Sequence, residues 1–246
     1  MGELSTKSAK RFWPSLHPEP NVVVFGANGG IGNALIQHLG SALADGNVSA
    51  FSRIGSAGIE DENVVVEYAT QAAEAGPIDV VIVATGILHD ENGLRPEKRL
   101  ADLNAANLAR SFEINAIGPS LVAKHFLPLL RRDVKTVFVA LSARVGSISD
   151  NRLGGWAAYR ASKAALNMLL KTAAIEQRRS NPDSIVATLH PGTVDTPLSA
   201  PFQSNLKPGQ LFTAQDAAHH IVDVIEALTP ADSGGFFAWN GTPIEY

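Results

Sequence analysis

Apolar residues run along this chain in two alternating rhythms. Short continuous runs rich in β-branched residues occupy Val22–Phe25, Val48–Phe51, Val64–Tyr68, Val80–Thr85, Thr136–Ser142, Ile185–His190 and Gly235–Trp239. Uninterrupted apolar runs of this length suit strands covered on both faces. Between them, three-to-four-residue apolar spacing predicts helices over about Gly30–Leu43, Leu103–Leu130, Trp156–Arg178 and Ala214–Leu228. Strands alternating with helices imply right-handed crossovers and a doubly wound parallel α/β sheet of about seven strands, flanked by helices. The stretch Pro197–Gly209 is too long for a plain connector and lacks periodicity, so it is expected to be mobile and to order on binding. Residues 1–20, with Pro14, Pro18 and Pro20, are expected to form a flexible polar arm, leaving 21–246 as one domain.

Composition narrows the function classes. The chain of 246 residues carries 20 Lys and Arg against 24 Asp and Glu, a net charge of −4 with no basic stripe. That argues against nucleic acid as partner. The longest apolar stretch, Val80 to Leu88, falls far short of the ~18 residues a membrane span needs, so no membrane insertion is expected. Cysteine is absent, which excludes disulfides, thiolate metal sites and cysteine nucleophiles and makes a cytoplasmic location the default expectation. No histidine spacing calls for a metal, and His219 and His220 read as a helix surface.

The first strand runs directly into Gly26-Ala-Asn28-Gly29-Gly30-Ile31-Gly32 and a helix. Backbone N–H groups at such a turn, with the positive end of the helix dipole, suit a pyrophosphate. Gly26 permits the tight turn, Gly30 the close approach to phosphate and Gly32 close packing of helix on strand. After the second strand stand Ser52 and Arg53 where a site for NAD would want a carboxylate. A hydroxyl and a guanidinium suit a 2′-phosphate instead, so NADP(H) is expected over NAD(H). Tyr159 and Lys163 lie four apart, on one face of a predicted helix. Ser142 ends a strand at the carboxyl edge of the sheet, where open α/β folds bind ligands. Asn115 interrupts an apolar helical stretch between Phe112 and Gly118-Pro119.

Gly26, Gly30, Gly32, Asn115, Ser142, Tyr159 and Lys163, in this order, resemble the short-chain dehydrogenase/reductase family over nearly the whole chain after Asn21. The segment His190-Pro191-Gly192-Thr193-Val194-Asp195-Thr196 is similar to the Pro-Gly stretch that lines the nicotinamide in that family. The stretch Gly86–Asp90 and the Ser233–Thr242 tail resemble its C-factor-type, cell-to-cell signalling branch. The resemblance implies a single-domain Rossmann-type fold and a carbonyl/alcohol oxidoreductase acting on a small molecule. It also implies a homodimer or homotetramer built through the long helices and the last strand. Asn28, Ile31, Ala84, Gly86, Pro191, Gly192, Val194 and Thr196 would join the glycines, Ser52 and Arg53 around the cofactor. Tyr159 would give a proton to the substrate oxygen, its pKa lowered by the Lys163 cation. Lys163 would also hold the nicotinamide ribose. Ser142 would bond the same oxygen, and Asn115 would hold a relaying water.

Two departures stand out. Phe25 precedes the glycine turn where the family has threonine, and Val83-Ala84-Thr85-Gly86 replaces Asn-Asn-Ala-Gly. The acidic residue that contacts adenine after the family's third strand would be Glu67 at best. The alternative function, from a different class, is a nucleotide-binding regulatory or signalling protein with little turnover. A substrate pocket would draw on Leu88–Leu94, Ala143–Gly155 and Thr196–Leu211, a mixture that fixes neither the size nor the charge of the ligand.

Overall fold

A computed structural model describes residues 12–43, 47–53 and 57–246, without the side chain of Asn205. The chain builds β1 (Asn21–Phe25), α1 (Gly30–Ala42), β2 (Asn47–Phe51), α2 (Glu62–Ala73), β3 (Val80–Val83), α3 (Ala105–Phe112), α4 (Gly118–Phe126), β4 (Thr136–Leu141), α5 (Ala157–Gln177), β5 (Ser184–His190), β6 (Thr193–Val194), β7 (Leu211–Phe212), α6 (Ala214–Ala227) and β8 (Phe236–Ala238). Six strands form one parallel sheet in the order β2-β1-β3-β4-β5-β8. β6 and β7 make a separate parallel pair.

The runs Val22–Phe25, Val80–Val83 and Val137–Leu141 are buried on both faces, as their unbroken apolar sequence predicts. One face packs on α1 and α6 through Leu35, Leu39, Ile221 and Ile225. The other packs on α2, α4 and α5 through Val65, Phe126, Leu166 and Leu170. Strand order reverses between β1, whose chain leads out to β2, and β3 on its other side, which opens a crevice at the carboxyl ends of the strands.

The expected strand Val64–Tyr68 is a helix, so the main sheet has six strands rather than about seven. Asp61 caps it by accepting from the Asn63 N–H. Val64, Val65, Tyr68, Ala69 and Ala72 are buried at helical spacing, and this stripe overrides the β-branched run. Glu67 therefore lies exposed on α2 and follows no strand.

Of the expected arm, residues 12–20 pack on the domain. Trp13 is only 2% exposed and its indole N–H donates to the Val222 carbonyl of α6 at 3.2 Å. Ser15 Oγ donates to Glu226 Oε2 at 2.6 Å, and Lys135 Nζ donates to Ser15 Oγ at 2.9 Å. A tryptophan and Leu16 supply enough apolar area to hold this segment on the domain. The rest of that arm, residues 1–11, lies outside the described residues. Among the described residues no helix is long and apolar enough to cross a membrane.

Candidate active site

The glycine turn follows β1 at the switch point. Gly26 has φ +85°, and a Cβ there would press on the Ala84 carbonyl at 3.0 Å, so no larger residue fits. A Cβ at Gly32 would stand 2.1 Å from the Gly26 carbonyl oxygen. The close neighbour is thus the turn itself rather than the strand expected from sequence. Gly29 is the N-cap of α1 and offers no side chain, which leaves the first helical N–H groups for a ligand. A Cβ at Gly30 would meet Thr196 Cγ2 at 2.7 Å, so the segment after β5 reaches the glycine turn. Asn28 Nδ2 donates to Ser52 Oγ at 3.0 Å, tying the turn to the end of β2. Arg53 is exposed and has no ion pair among the described residues. Phe25 packs edge-on against Phe126 at 5.0 Å and near Phe51 at 5.5 Å. Aromatic packing thus braces the central sheet where the family's threonine would have hydrogen-bonded.

Asn115 stands in a π-helical turn, Glu113–Ile117, between α3 and α4. Such a bulge turns a side chain out of the helical register, commonly at functional sites. Asn115 is fully buried; its Oδ1 accepts from the Ile87 N–H and its Nδ2 donates to the Ile87 carbonyl, each at 2.9 Å. Its second amide hydrogen goes to Ser162 Oγ at 3.1 Å, and Ser162 in turn donates to the Tyr159 carbonyl at 2.8 Å. The amide therefore clamps the chain after β3 to the second turn of α5. A Cβ at Gly86 would lie 3.4 Å from Asn115 Oδ1 and 3.6 Å from Lys163 Nζ.

Lys163 is 2% exposed; its Nζ donates to the Leu141 carbonyl at 2.7 Å and lies 5.9 Å from the centre of the Tyr159 ring. Burial lowers the lysine pKa from 10.5 to about 7. Burial likewise pushes the Tyr159 phenol up from 10.0, opposite to the lowering expected from a neighbouring cation. Desolvation sets the direction here, and the Lys163 ammonium donates to the Leu141 carbonyl. Ser142 Oγ is buried and lacks a hydrogen-bond partner among the described residues, a cost of about 1–3 kcal/mol until something accepts or donates. Ser142 N–H donates to the Leu189 carbonyl at 2.8 Å, which extends the β4–β5 register to His190. Burial and the Arg144 charge lower the His190 pKa to about 4, so this imidazole is neutral.

Pro191 and Val194 are buried after β5, and Gly192 turns beneath Phe212. His220, expected on a helix surface, packs instead against Phe212 at 4.9 Å and Trp239 at 4.7 Å. Side-chain bonds link the loop expected to be mobile to its neighbours. Ser199 Oγ donates to the Val194 carbonyl at 2.5 Å, Gln203 Nε2 to Asp195 Oδ1 at 2.9 Å, and His89 Nε2 bonds the Pro197 carbonyl at 3.1 Å.

One residue carrying this geometry has no sequence signature. Glu97 is buried; its Oε2 accepts from the Ala158 N–H at 3.2 Å and its carbonyl from the Trp156 N–H at 2.6 Å. It supplies the start of α5 with the cap that Trp156 does not provide. Trp156 sits at φ 54°, ψ 40°, a left-handed conformation costing a non-glycine residue about 1–2 kcal/mol.

Together the glycine turn, the Ser52-Arg53 strand end, the Thr196 contact and the Ser142–Tyr159–Lys163 cluster fit a nicotinamide dinucleotide laid along the crevice. Comparisons with known proteins agree. The model of the short chain dehydrogenase family matches residues 54–207. The "C-signal" of Myxococcus xanthus is 36% identical over 172 residues, covering 70% of this chain and 94% of that protein. The 1-hydroxy-2-glutathionyl-2-methyl-3-butene dehydrogenase of a Rhodococcus strain is 31% identical over 240 residues, covering 92% of this chain and 99% of that protein. The NADPH-bound carbonyl reductase from chicken fatty liver superposes with a TM-score of 0.78 at 25% identity, over 93% of this chain and 100% of that one. The chain belongs to the short-chain dehydrogenase/reductase family, in its C-factor-type branch, and is an NAD(P)-dependent oxidoreductase of the carbonyl/alcohol type.

Proposed function

We propose that the protein reduces a small-molecule ketone or aldehyde with NADPH, taking up one proton and releasing the alcohol and NADP+. The observation that carries this reading is the buried, unsatisfied Ser142 Oγ, next in the chain to the Leu141 carbonyl that holds Lys163, with Lys163 Nζ 5.9 Å from the Tyr159 ring and neither group in an ion pair among the described residues. Gly26, Asn28, Gly30, Ile31, Gly32, Ala84, Gly86, Pro191, Gly192, Val194 and Thr196 would hold the cofactor, with Ser52 and Arg53 taking its 2′-phosphate. Bound there, the reduced nicotinamide supplies the hydride.

Ser142 and Tyr159 hydrogen-bond the substrate carbonyl oxygen, and Tyr159 hands it a proton as negative charge develops. A phenol whose pKa is raised by burial is protonated at working pH, which suits the reducing direction. Lys163, poised near neutrality, bears the ribose hydroxyls and recharges the phenol. Asn115 holds the Ile87 backbone, next to Gly86 and near Lys163, and the remaining lone pair of its Oδ1 is available to the relay water expected from the family. Met168, Leu169 and Ile175 stand exposed on α5, and this apolar helix face supports the homodimer or homotetramer expected of the family.

The test is a panel of carbonyl compounds with NADPH, following loss of its absorbance, alongside Tyr159→Phe. Turnover in the parent is expected to vanish in the variant while NADPH still binds. Silence across the panel despite tight NADPH binding favours the signalling reading that the C-signal relative suggests.

A further inference from the structure

Outside the reacting groups, one set of side chains is arranged at a cost the fold does not require. Trp156 occupies its left-handed conformation at the first turn of the helix that carries Tyr159 and Lys163. Buried Glu97 enforces it through the Trp156 and Ala158 N–H groups. Strain kept in place by dedicated supports is a pointer to function. What the strain achieves is visible in the rings. The indole stands edge-on to Tyr159 at 6.3 Å and to Phe202 at 5.0 Å, and Phe202 stands edge-on to His89 at 5.8 Å. Three segments far apart in sequence thus contribute one aromatic row that begins at the phenol and leads outward. The loop carrying Phe202 is fixed to that carrying His89 by the bond to the Pro197 carbonyl. A carbonyl oxygen only accepts, so His89 Nε2 bears the proton there.

Charge near the row is already committed. Arg144 pairs with Asp150 at 2.7 Å. Arg160 donates to the carbonyls of Val145, Gly154 and Gly155, and Arg95 to those of Asp90 and Leu94. The Asp90 carboxylate accepts from the Leu94 N–H. Among the described residues of these loops the exposed side chains of Glu91, Arg152 and Lys207 are left without such a bond. The row itself, Trp156, Phe202 and His89, offers planar faces, and the unbonded cations of these loops, Arg152 and Lys207, are exposed rather than members of it.

We propose that Trp156, Phe202 and His89 form a substrate subsite for an aryl group, so that the protein selects ketones and aldehydes whose carbonyl carries an aromatic ring over saturated or carboxylate-bearing ones. The proposal rests on the carbonyl-reductase reading. The substrate ring stacks or stands edge-on in the row with its carbonyl at Ser142 and Tyr159.

The experiment compares kcat/KM for acetophenone, cyclohexyl methyl ketone and pyruvate in the full-length protein with NADPH. Acetophenone is expected to lead its saturated counterpart by roughly three- to tenfold, the worth of one good aromatic contact. Trp156→Ala and Phe202→Ala should each bring that ratio close to one, mainly through the KM for acetophenone, while Trp156→Phe keeps it. A ratio near one in the parent, a preference for pyruvate, or an unchanged ratio in both alanine variants overturns the subsite. If none of the three compounds is turned over, the carbonyl-reductase reading fails at this point, and binding decides the subsite separately. Saturable quenching of indole fluorescence by acetophenone that disappears in Trp156→Phe upholds it, and equal quenching in both proteins overturns it.

Discussion

Replacing Lys163 by methionine should abolish turnover and yet make the protein harder to unfold at neutral and acid pH. The ammonium is 98% removed from solvent in effect, being only 2% exposed, with one bond to the Leu141 carbonyl at 2.7 Å. Its pKa falls from 10.5 in the unfolded chain to about 7 in the fold. At about 1.36 kcal/mol per pH unit, holding that charge inside costs about 4–5 kcal/mol. Methionine fills similar volume without the charge but leaves the Leu141 carbonyl unpaired, which returns about 1–3 kcal/mol of that gain. The net gain is about 2 kcal/mol, or a rise in Tm of about 4–8 °C for a chain of this size. Its pH dependence is diagnostic. Between pH 7 and 10.5 the unfolded chain holds a proton on Lys163 that the folded protein has released, so wild-type stability rises with pH across that window. The advantage of Lys163→Met should therefore be full at pH 6, shrink through that window and turn into a loss above it. Urea melts of both proteins at pH 6, 8 and 10 measure this. A variant that is no more stable at pH 6, or whose advantage grows with pH, would refute the claim that burial governs Lys163.

Other perturbations read other parts of the molecule. Arg53→Ala should weaken NADPH binding roughly tenfold or more and leave NADH unaffected in a titration of nicotinamide fluorescence. Equal losses for both cofactors would remove the guanidinium from the 2′-phosphate. Trp13→Ala should destabilise the domain by about 3 kcal/mol, seen as a lower urea midpoint, because it empties a buried site and removes the indole bond to the Val222 carbonyl. An unchanged midpoint would mean that residues 12–20 lie on the domain without supporting it.

Much of this architecture was legible in sequence because the signals are local. The runs at β1, β3, β4 and β5 are apolar on both faces and admit one reading, and Tyr159 and Lys163 needed only the helical repeat to be placed together. Val64-Val65-Val66 deceived because three β-branched residues in a row outweigh, by propensity, a helix stripe that becomes visible only with Tyr68, Ala69 and Ala72. Glu97 could not be found this way. It lies some sixty residues before the helix it caps, in a segment of ordinary charged composition, and only the fold brings it to Ala158. The same holds for Ile87, whose backbone rather than side chain receives Asn115. Phe25 looked like a defect at the glycine turn, since its compensation is divided among Phe51, Tyr68 and Phe126 on three other elements.

The small parallel pair β6–β7 gathers distant parts of the chain at one root. It joins the residues just past Gly192 to Phe212, whose ring covers Gly192 and rests on His220 of α6 and Trp239 near the C-terminus. The Pro191–Val194 turn and the loop bearing Phe202 thus hang from the same hinge post. Variation at His220 or Trp239 would therefore be felt in both segments at once, and drift near the C-terminus becomes a way to shift their placement without any change at Ser142, Tyr159 or Lys163.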